Sequence, residues 1–512
     1  MHQYRPEGFR AAVDGRLLPL SRELYKLLQD VQRTLGYDTL RLRKAELTKL
    51  AEILVEFAED IHNEIGLWRA YEAYDREFYG VAVPFAASDE LAEGVSLARV
   101  RHLLWVLYPE LRLGLVISPC HEGLEHLARA VSHYLRGAFQ GLSRGSGISA
   151  FLETPNDYGW QVKRKLVWLG TCSYMFRLTF RNYLAEHNRG RWDIDHADDF
   201  LCQECTRWSG LGAIDILAGV LDIPGKDRKQ LRSWYERHTS FYRLQAVSDG
   251  RLDAVNIISQ QPYRIRIDMP AHPFRAGQLV FGSLVPWRGD WYWSGEQELW
   301  DSPVPIDESK LQDTMKRQSS HILCRFWDEY RLQVQQRAAE FHKASLAHNG
   351  TDLVIYSNGL AMAADWQKEL RAAWESHPSE EIAEVARRHG LKHGRPDMQI
   401  PADLREHDRG IGVFLNPEEG KEIMCDFDLL VAGLKRRGTG LTGEEEDAIQ
   451  AFIDSDSISP AFVRRVLAEY GAESVRAAFR LPDAAPEYWL EHLLRSRKGH
   501  FYRKRYPTLS VM

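Results

Sequence analysis

Along most of the chain, apolar residues return at helical spacing. Between Leu42 and Trp68 the positions Leu47, Leu50, Leu54, Phe57, Ile61 and Ile65 recur at three- and four-residue steps, with charged residues on the other faces. This predicts one amphipathic helix. Ser118-Pro119 precedes Leu124, Leu127, Val131 and Leu135, which predicts a second helix running to about Phe139, capped by the serine with the proline at its first position. Comparable patterns cover Val162–Leu184, Ala197–Leu221 and Gln230–Gln245, so residues 1–250 are expected to form an α-helical domain.

The pattern changes at Tyr263. Tyr263, Ile265 and Ile267 alternate with Arg264, Arg266 and Asp268, the mark of a half-buried strand. Gly277–Val285 reads as a second strand and Trp291–Ser294 as a third, across the turn Trp287-Arg288-Gly289-Asp290. An open sheet this small would leave its edges unpaired, so a curled barrel is expected over 255–305, with Leu279, Phe281 and Val285 buried. Leu311–Ala347 returns to helical periodicity, giving a connecting helix within 306–350.

Residues 351–490 read as a mixed α/β domain. It comprises a strand at Thr351–Asn358, a hairpin of Ile411–Leu415 with Lys421–Asp426, and two helices broken at Ser459-Pro460. Residues 491–512 read as a basic tail. The expected fold class is therefore α+β: a mainly helical N-terminal domain, a small central β-barrel-like domain and a mixed α/β C-terminal region.

Composition narrows the function classes. A chain of 512 residues with 44% hydrophobic and 27% charged residues is ordinary for a globular protein of several domains. A net charge of −6 disfavours a globally basic nucleic-acid binder but leaves room for a local patch. The opening Met1-His2-Gln3-Tyr4-Arg5-Pro6 lacks the apolar stretch of a secretory signal, and no run approaches the length of a membrane span. Six cysteines suit a reducing cytoplasm, which is the expected location.

Several short motifs fail on context. Gly141-Leu142-Ser143-Arg144-Gly145 has the spacing of a serine-hydrolase elbow, but that elbow needs a strand before the serine and a helix after it. Here a helix precedes Ser143 and a glycine-rich loop follows. His121-Glu122 with His126 misses the four-residue histidine spacing of a zinc-peptidase helix, since position 125 is glutamate. Cys202-Gln203-Glu204-Cys205 would place both sulfurs on one helical face, six residues after His196. Without a second ligand pair they are read as packed cysteines, so Cys202, Cys205 and His196 stand only as candidate metal ligands and no cofactor is expected.

Asp397, Glu419 and Lys421 resemble the two carboxylates and lysine that hold Mg²⁺ and the attacking water in metal-dependent nucleases. They are the candidate catalytic set, weakened because Glu419 and Lys421 fall in a turn beside Pro417 rather than on a central strand. The candidate binding residues are Trp287, Arg288, Trp291, Tyr292 and Trp293, together with Arg503, Lys504 and Arg505 of the tail. Part of the aromatic set must be core, and the rest suits stacking on bases or an extended peptide. The barrel arginines are balanced by Asp268, Asp290, Glu296 and Glu298, which counts against nucleic acid there. The tail, with six cations and three aromatics over 495–506, favours it.

Three stretches resemble a bacterial family known only as a domain of unknown function: Val95–Leu107, ending Arg101-His102-Leu103-Leu104-Trp105; Val285-Pro286-Trp287 with Trp291-Tyr292-Trp293-Ser294-Gly295; and Phe414–Ile423. The resemblance implies a match over most of the chain past residue 40 and no particular activity. The expected role is thus non-catalytic, a cytoplasmic binding or scaffolding protein with a protein or nucleic-acid partner. The alternative is a metal-dependent, nuclease-like hydrolase.

Overall fold

In a computed structural model of the chain, most of the predicted helices form, and buried polar groups decide where several of them stop. The structure describes residues 2–12, 14–36, 38–87, 94–267, 274–300, 307, 309–311, 327–375 and 398–503. The chain divides into two compact units, Met1–Lys316 with Arg480–His500 and Arg317–Phe479 with Phe501–Met512.

In the first unit, α1 (Asp14–Leu35), α2 (Lys44–Asn63) and α3 (Leu67–Tyr79) bury the predicted apolar stripe, Leu47, Leu50, Leu54 and Phe57 among it. The single helix expected over 42–68 is instead two. The reason is Asp60, whose buried carboxylate accepts the backbone N–H groups of Gly66, Leu67 and Trp68 at 2.7, 3.2 and 2.8 Å and so caps the start of α3. After α4 (Leu97–Leu111), α5 (Glu122–Gln140) starts three residues later than the Ser118-Pro119 signal. His121 is its cap, with Nδ1 accepting from the Gly123 N–H at 3.0 Å, while Ser118 turns onto the Cys120 N–H. A short α6 (Gly147–Leu152) leads to α7 (Gly159–Cys172) and α8 (Arg177–His187), which divide the expected helix 162–184 at Ser173. Then come α9 (Ile194–Gln203), α10 (Ala213–Val220) and α11 (Gly225–Arg232).

Of the helix expected over 230–245 only the start is helical, to Arg232 in α11 and through a 3-10 turn at Ser233–Glu236, and the barrel opens at His238 rather than at 255. Its strands are β1 (His238–Ser248), β2 (Arg251–Asn256), β3 (Pro262–Arg266), β4 (Leu279–Trp287) and β5 (Asp290–Trp300). They close in the order β1-β2-β3-β5-β4. All neighbours are antiparallel except β3 and β5, whose parallel seam pairs Ile265 with Trp291. This is a five-stranded Greek-key barrel of the OB type.

Tyr242, Leu252, Ile265, Val280 and Leu284 fill its interior. Of the trio expected to be buried, Leu279 and Val285 are, Val285 in the core of the helical layer with Trp287 and Tyr292, and Phe281 is the correction. Phe281 is half-buried beside Phe241 and Trp300. With both faces of β4 covered, its apolar residues do not mark one side, so register could not be read from pattern.

The expected basic tail from 491 is also corrected, because the last helix of the chain, Trp489–Lys498, covers its start and belongs to the first unit. His492 stacks on Trp105 with ring centroids 5.5 Å apart, and Lys498 is fully buried. Gly210 lies against this helix with φ +76°; a Cβ there would stand 2.4 Å from the Arg495 carbonyl oxygen.

The second unit begins, within the described residues, at α12 (Asp328–Asn349). Of the helix expected over 311–347, residues 312–326 lie outside the described residues. Strands β6 (Leu353–Tyr356), β7 (Ile411–Asn416) and β8 (Gly420–Met424) form an antiparallel sheet in that order, so the expected hairpin is present. Around it lie α13 (Gly359–Glu375), α14 (Ala402–Arg405) and α15 (Phe427–Lys435). The region expected to hold two helices holds three, α16 (Gly443–Asp454), α17 (Pro460–Tyr470) and α18 (Glu473–Ala478), because Gly471 ends α17 early. Both units together are α+β, as the patterning predicts.

Candidate binding site

Where the barrel's short β3–β5 seam meets α7, a groove of about 690 Å³ opens. Its position depends on Gly159, the first residue of α7. A Cβ there would stand 2.6 Å from the Tyr292 ring, so only glycine lets β5 lie this close to the helix. The next residue, Trp160, then forms one wall. It stacks on Tyr158 at 4.6 Å and meets Tyr292 edge-on at 5.4 Å, and the Arg266 guanidinium lies 4.5 Å over the Tyr158 ring. Phe274 and Trp293, stacked at 6.2 Å, form the other wall. The Trp293 indole N–H is shielded from solvent and has no hydrogen-bond partner among the described residues.

Lys163 stands at the base of the groove. Its ammonium is ion-paired with Asp198 and donates to the Ser294 hydroxyl at 2.8 Å, and Ser294 in turn donates to Asp198 at 2.9 Å. Arg237 completes the set, 2.5 Å from the other Asp198 oxygen. Burial alone would raise the Asp198 pKa, but Lys163 and Arg237 outweigh it and hold the carboxyl down to about 2. The network ties α7, α9 and β5 together. Among the groove's described lining residues Lys163, Arg164 and Arg266 are cationic and none is a carboxylate.

Several expected binding residues lie elsewhere. Trp287 is fully buried with its indole N–H on the Asn156 carbonyl at 2.9 Å, and so is part of the seam rather than an open stacking face. Arg288 is held in the β4–β5 turn by Asp227 at 2.8 Å and Asp157 at 3.0 Å. Trp291 packs on His238 and Tyr263. Tyr292 and Trp293 are the two that reach the groove, Tyr292 by the edge of a buried ring. Arg503 is half-buried, and Lys504 and Arg505 lie outside the described residues.

The candidate catalytic and metal sets are not assembled among the described residues. Asp397 lies outside them. Glu419 sits in the β7–β8 turn, its N–H on the Asn416 side chain at 3.3 Å. Lys421 is ion-paired with buried Glu369, its ammonium 4.6 Å from the Trp366 ring centre. Cys202 is buried in α9, whereas Cys205 falls beyond the end of that helix at Gln203, which corrects the shared helical face. His196 turns back on Asp193, the cap of α9, at 2.8 Å. Among the described residues no group of three or more His, Cys, Asp or Glu side chains is placed to hold a metal ion.

The sequence reading missed Trp160, Lys163 and Asp198, because each sits on an ordinary helical pattern and only the barrel strand laid across them makes a site. It also missed a sealed polar cluster in the helical layer. Ser209, at φ +50°, donates to Asp75 at 2.7 Å, and Tyr71 joins Ser209 at 3.5 Å and His102 Nε2 at 2.6 Å. Burial pushes the Asp75 carboxyl up to about 8.

Comparison with known families bears on one side of the groove. Residues 12–205 match the family model described as Protein of unknown function (DUF3843). The expected likeness to an uncharacterised domain family holds for that stretch. The DUF3843 region runs from α1 past the end of α9, so it carries Trp160, Lys163 and Asp198 but none of the barrel. Of the three resembling stretches, 95–107 lies inside the DUF3843 match and the other two lie outside it. No curated protein and no solved structure matches the chain. No described helix is long and apolar enough to cross a membrane.

Proposed function

We propose that the chain is a non-catalytic binding protein whose groove beside the barrel receives a short stretch of single-stranded nucleic acid. The observation that carries this reading is the lining itself: aromatic walls from Trp160 and Trp293, the cations Arg164 and Arg266 beside a Lys163 already paired with Asp198, and no carboxylate among the described lining residues. Flat rings accept any base by stacking, and cations beside them suit the phosphates between bases. The volume lies within the range of ligand sites. The OB-type topology agrees with this reading, but as analogy only, since function belongs to sites rather than folds. For the hydrolase alternative, Lys421 is already committed to Glu369, and no observation favours it.

Fluorescence anisotropy of labelled oligo-dT and oligo-U at several salt concentrations tests the proposal. Trp160→Ala is expected to weaken binding roughly tenfold, in line with about 1–3 kcal/mol per stacked base, with the salt slope unchanged. Absence of affinity at low salt in the intact protein would overturn the reading.

A further inference from the structure

A second cavity, of about 790 Å³, lies between α1 and α2 in the same unit. Among its described lining residues are five cations, Arg33, Arg41, Arg43, Lys44 and Arg112, and one acid, Asp38. The excess is built into a braced loop. Gln32 of α1 clamps Leu42 from both sides, accepting its N–H at 2.9 Å and donating to its carbonyl at 3.0 Å. Arg112, just past α4, donates to the carbonyl of Thr39 at 2.6 Å. These braces fall on backbone atoms of the loop, so Arg112 is engaged while Arg41, Arg43 and Lys44 take no part in them.

Arg41 and Lys44 are exposed and make no ion pair among the described residues. Among the described residues, Arg33 and Arg43 have loose acidic neighbours, Asp30 at 3.7 Å and Glu46 at 4.0 Å. Like charges gathered on a fixed loop repel one another, and an anionic partner relieves that repulsion while releasing its own counterions. A cleft with cations on both walls fits a single strand of phosphodiester backbone better than a flat layer of lipid headgroups.

We infer that this cleft is a track for the phosphate backbone of a nucleic acid. The inference rests on the barrel-groove reading for the class of ligand, but on different residues. It assigns the two grooves separate tasks: stacking of bases beside the barrel, and charge neutralisation between α1 and α2.

The test is anisotropy of labelled oligo-U and oligo-dT with the full chain, R41Q/K44Q and W160A, each across a salt series. R41Q/K44Q is expected to lower the slope of log affinity against log salt by about 1.4, about 0.7 for each lost phosphate contact. Because both side chains are exposed and unpaired, its thermal melt should match that of the parent chain, and R41E is a second variant whose effect on the slope should have the same direction. If R41Q/K44Q and R41E bind with unchanged affinity and slope while W160A is weakened, the inference is overturned and the barrel-groove reading stands. If the parent chain binds neither oligonucleotide at low salt, both fall. If it instead binds vesicles rich in phosphatidylserine, and R41Q/K44Q abolishes that binding, the cleft is a membrane contact and the inference is likewise overturned.

Discussion

Asp75 carries its carboxyl into the helical layer with Ser209 and Tyr71 as hydrogen-bonding neighbours, Glu72 as the nearby charge and one oxygen unpartnered among the described residues. Burial raises its pKa to about 8, so the folded chain keeps a proton at neutral pH that the unfolded chain releases above the ordinary carboxylate range. Folding therefore takes up a proton between those limits, and stability falls as pH rises through that window, by at most about 1.4 kcal/mol per pH unit. In an Asp75→Asn variant the side chain cannot ionise. Thermal melts from pH 5 to 8 should show the parent chain losing stability relative to that variant; parallel curves would show that Asp75 does not titrate in this range. The left-handed backbone at Ser209 is maintained by the same packed surroundings.

Among the elements, the join of α7 to β5 depends most on one small residue. Gly159→Ala would push a methyl group into the Tyr292 ring, which is buried and already meets Trp160 edge-on. Overpacking of this kind costs about 1–3 kcal/mol, and here it also separates the two walls of the groove. Chemical denaturation should show a loss of that size, with oligonucleotide affinity falling alongside it. An unchanged midpoint would mean the strand has room to move. Helix existence was legible element by element, since Leu47, Leu50, Leu54 and Phe57 mark α2 plainly. Helix ends were not. The end of α2 is set by Asp60 reaching forward to the next helix, and the start of α5 by the His121 side chain rather than the nearby Ser118-Pro119. Strand β1 was misread as helix because its partner β4 lies about forty residues further on, where His238 faces Leu284.

For the whole molecule, the matched family region is not a self-sufficient core. The hydrophobic cluster that contains Leu50, Phe57 and Leu104 also takes in Trp208, Leu217, Trp234, Trp287 and Tyr292, all beyond residue 205. A fragment of residues 12–205 would expose those contacts, and burial of each large side chain is worth about 1.5–3 kcal/mol. Calorimetry should find a cooperative transition for the full chain and none for the fragment. A sharp transition in the fragment would show that the region folds alone.

Periodicity, turn residues and composition depend on neighbours a few positions apart, and so the α+β class, the helical N-terminal region, the presence of a small barrel and the hairpin at Gly420 could all be inferred before any coordinates. Both proposed binding grooves belong to a different order of cause. Trp160 and Trp293, or Arg112 and Thr39, are unremarkable in the chain until a long-range fold sets them in one groove. Likewise the residues that looked most like a binding face, Trp287 and Arg288, became the seam between barrel and helices because the helical layer had apolar surface left to cover. A large ring is equally suited to stacking on a ligand and to filling a core, and only the surface it meets in the folded chain decides between them.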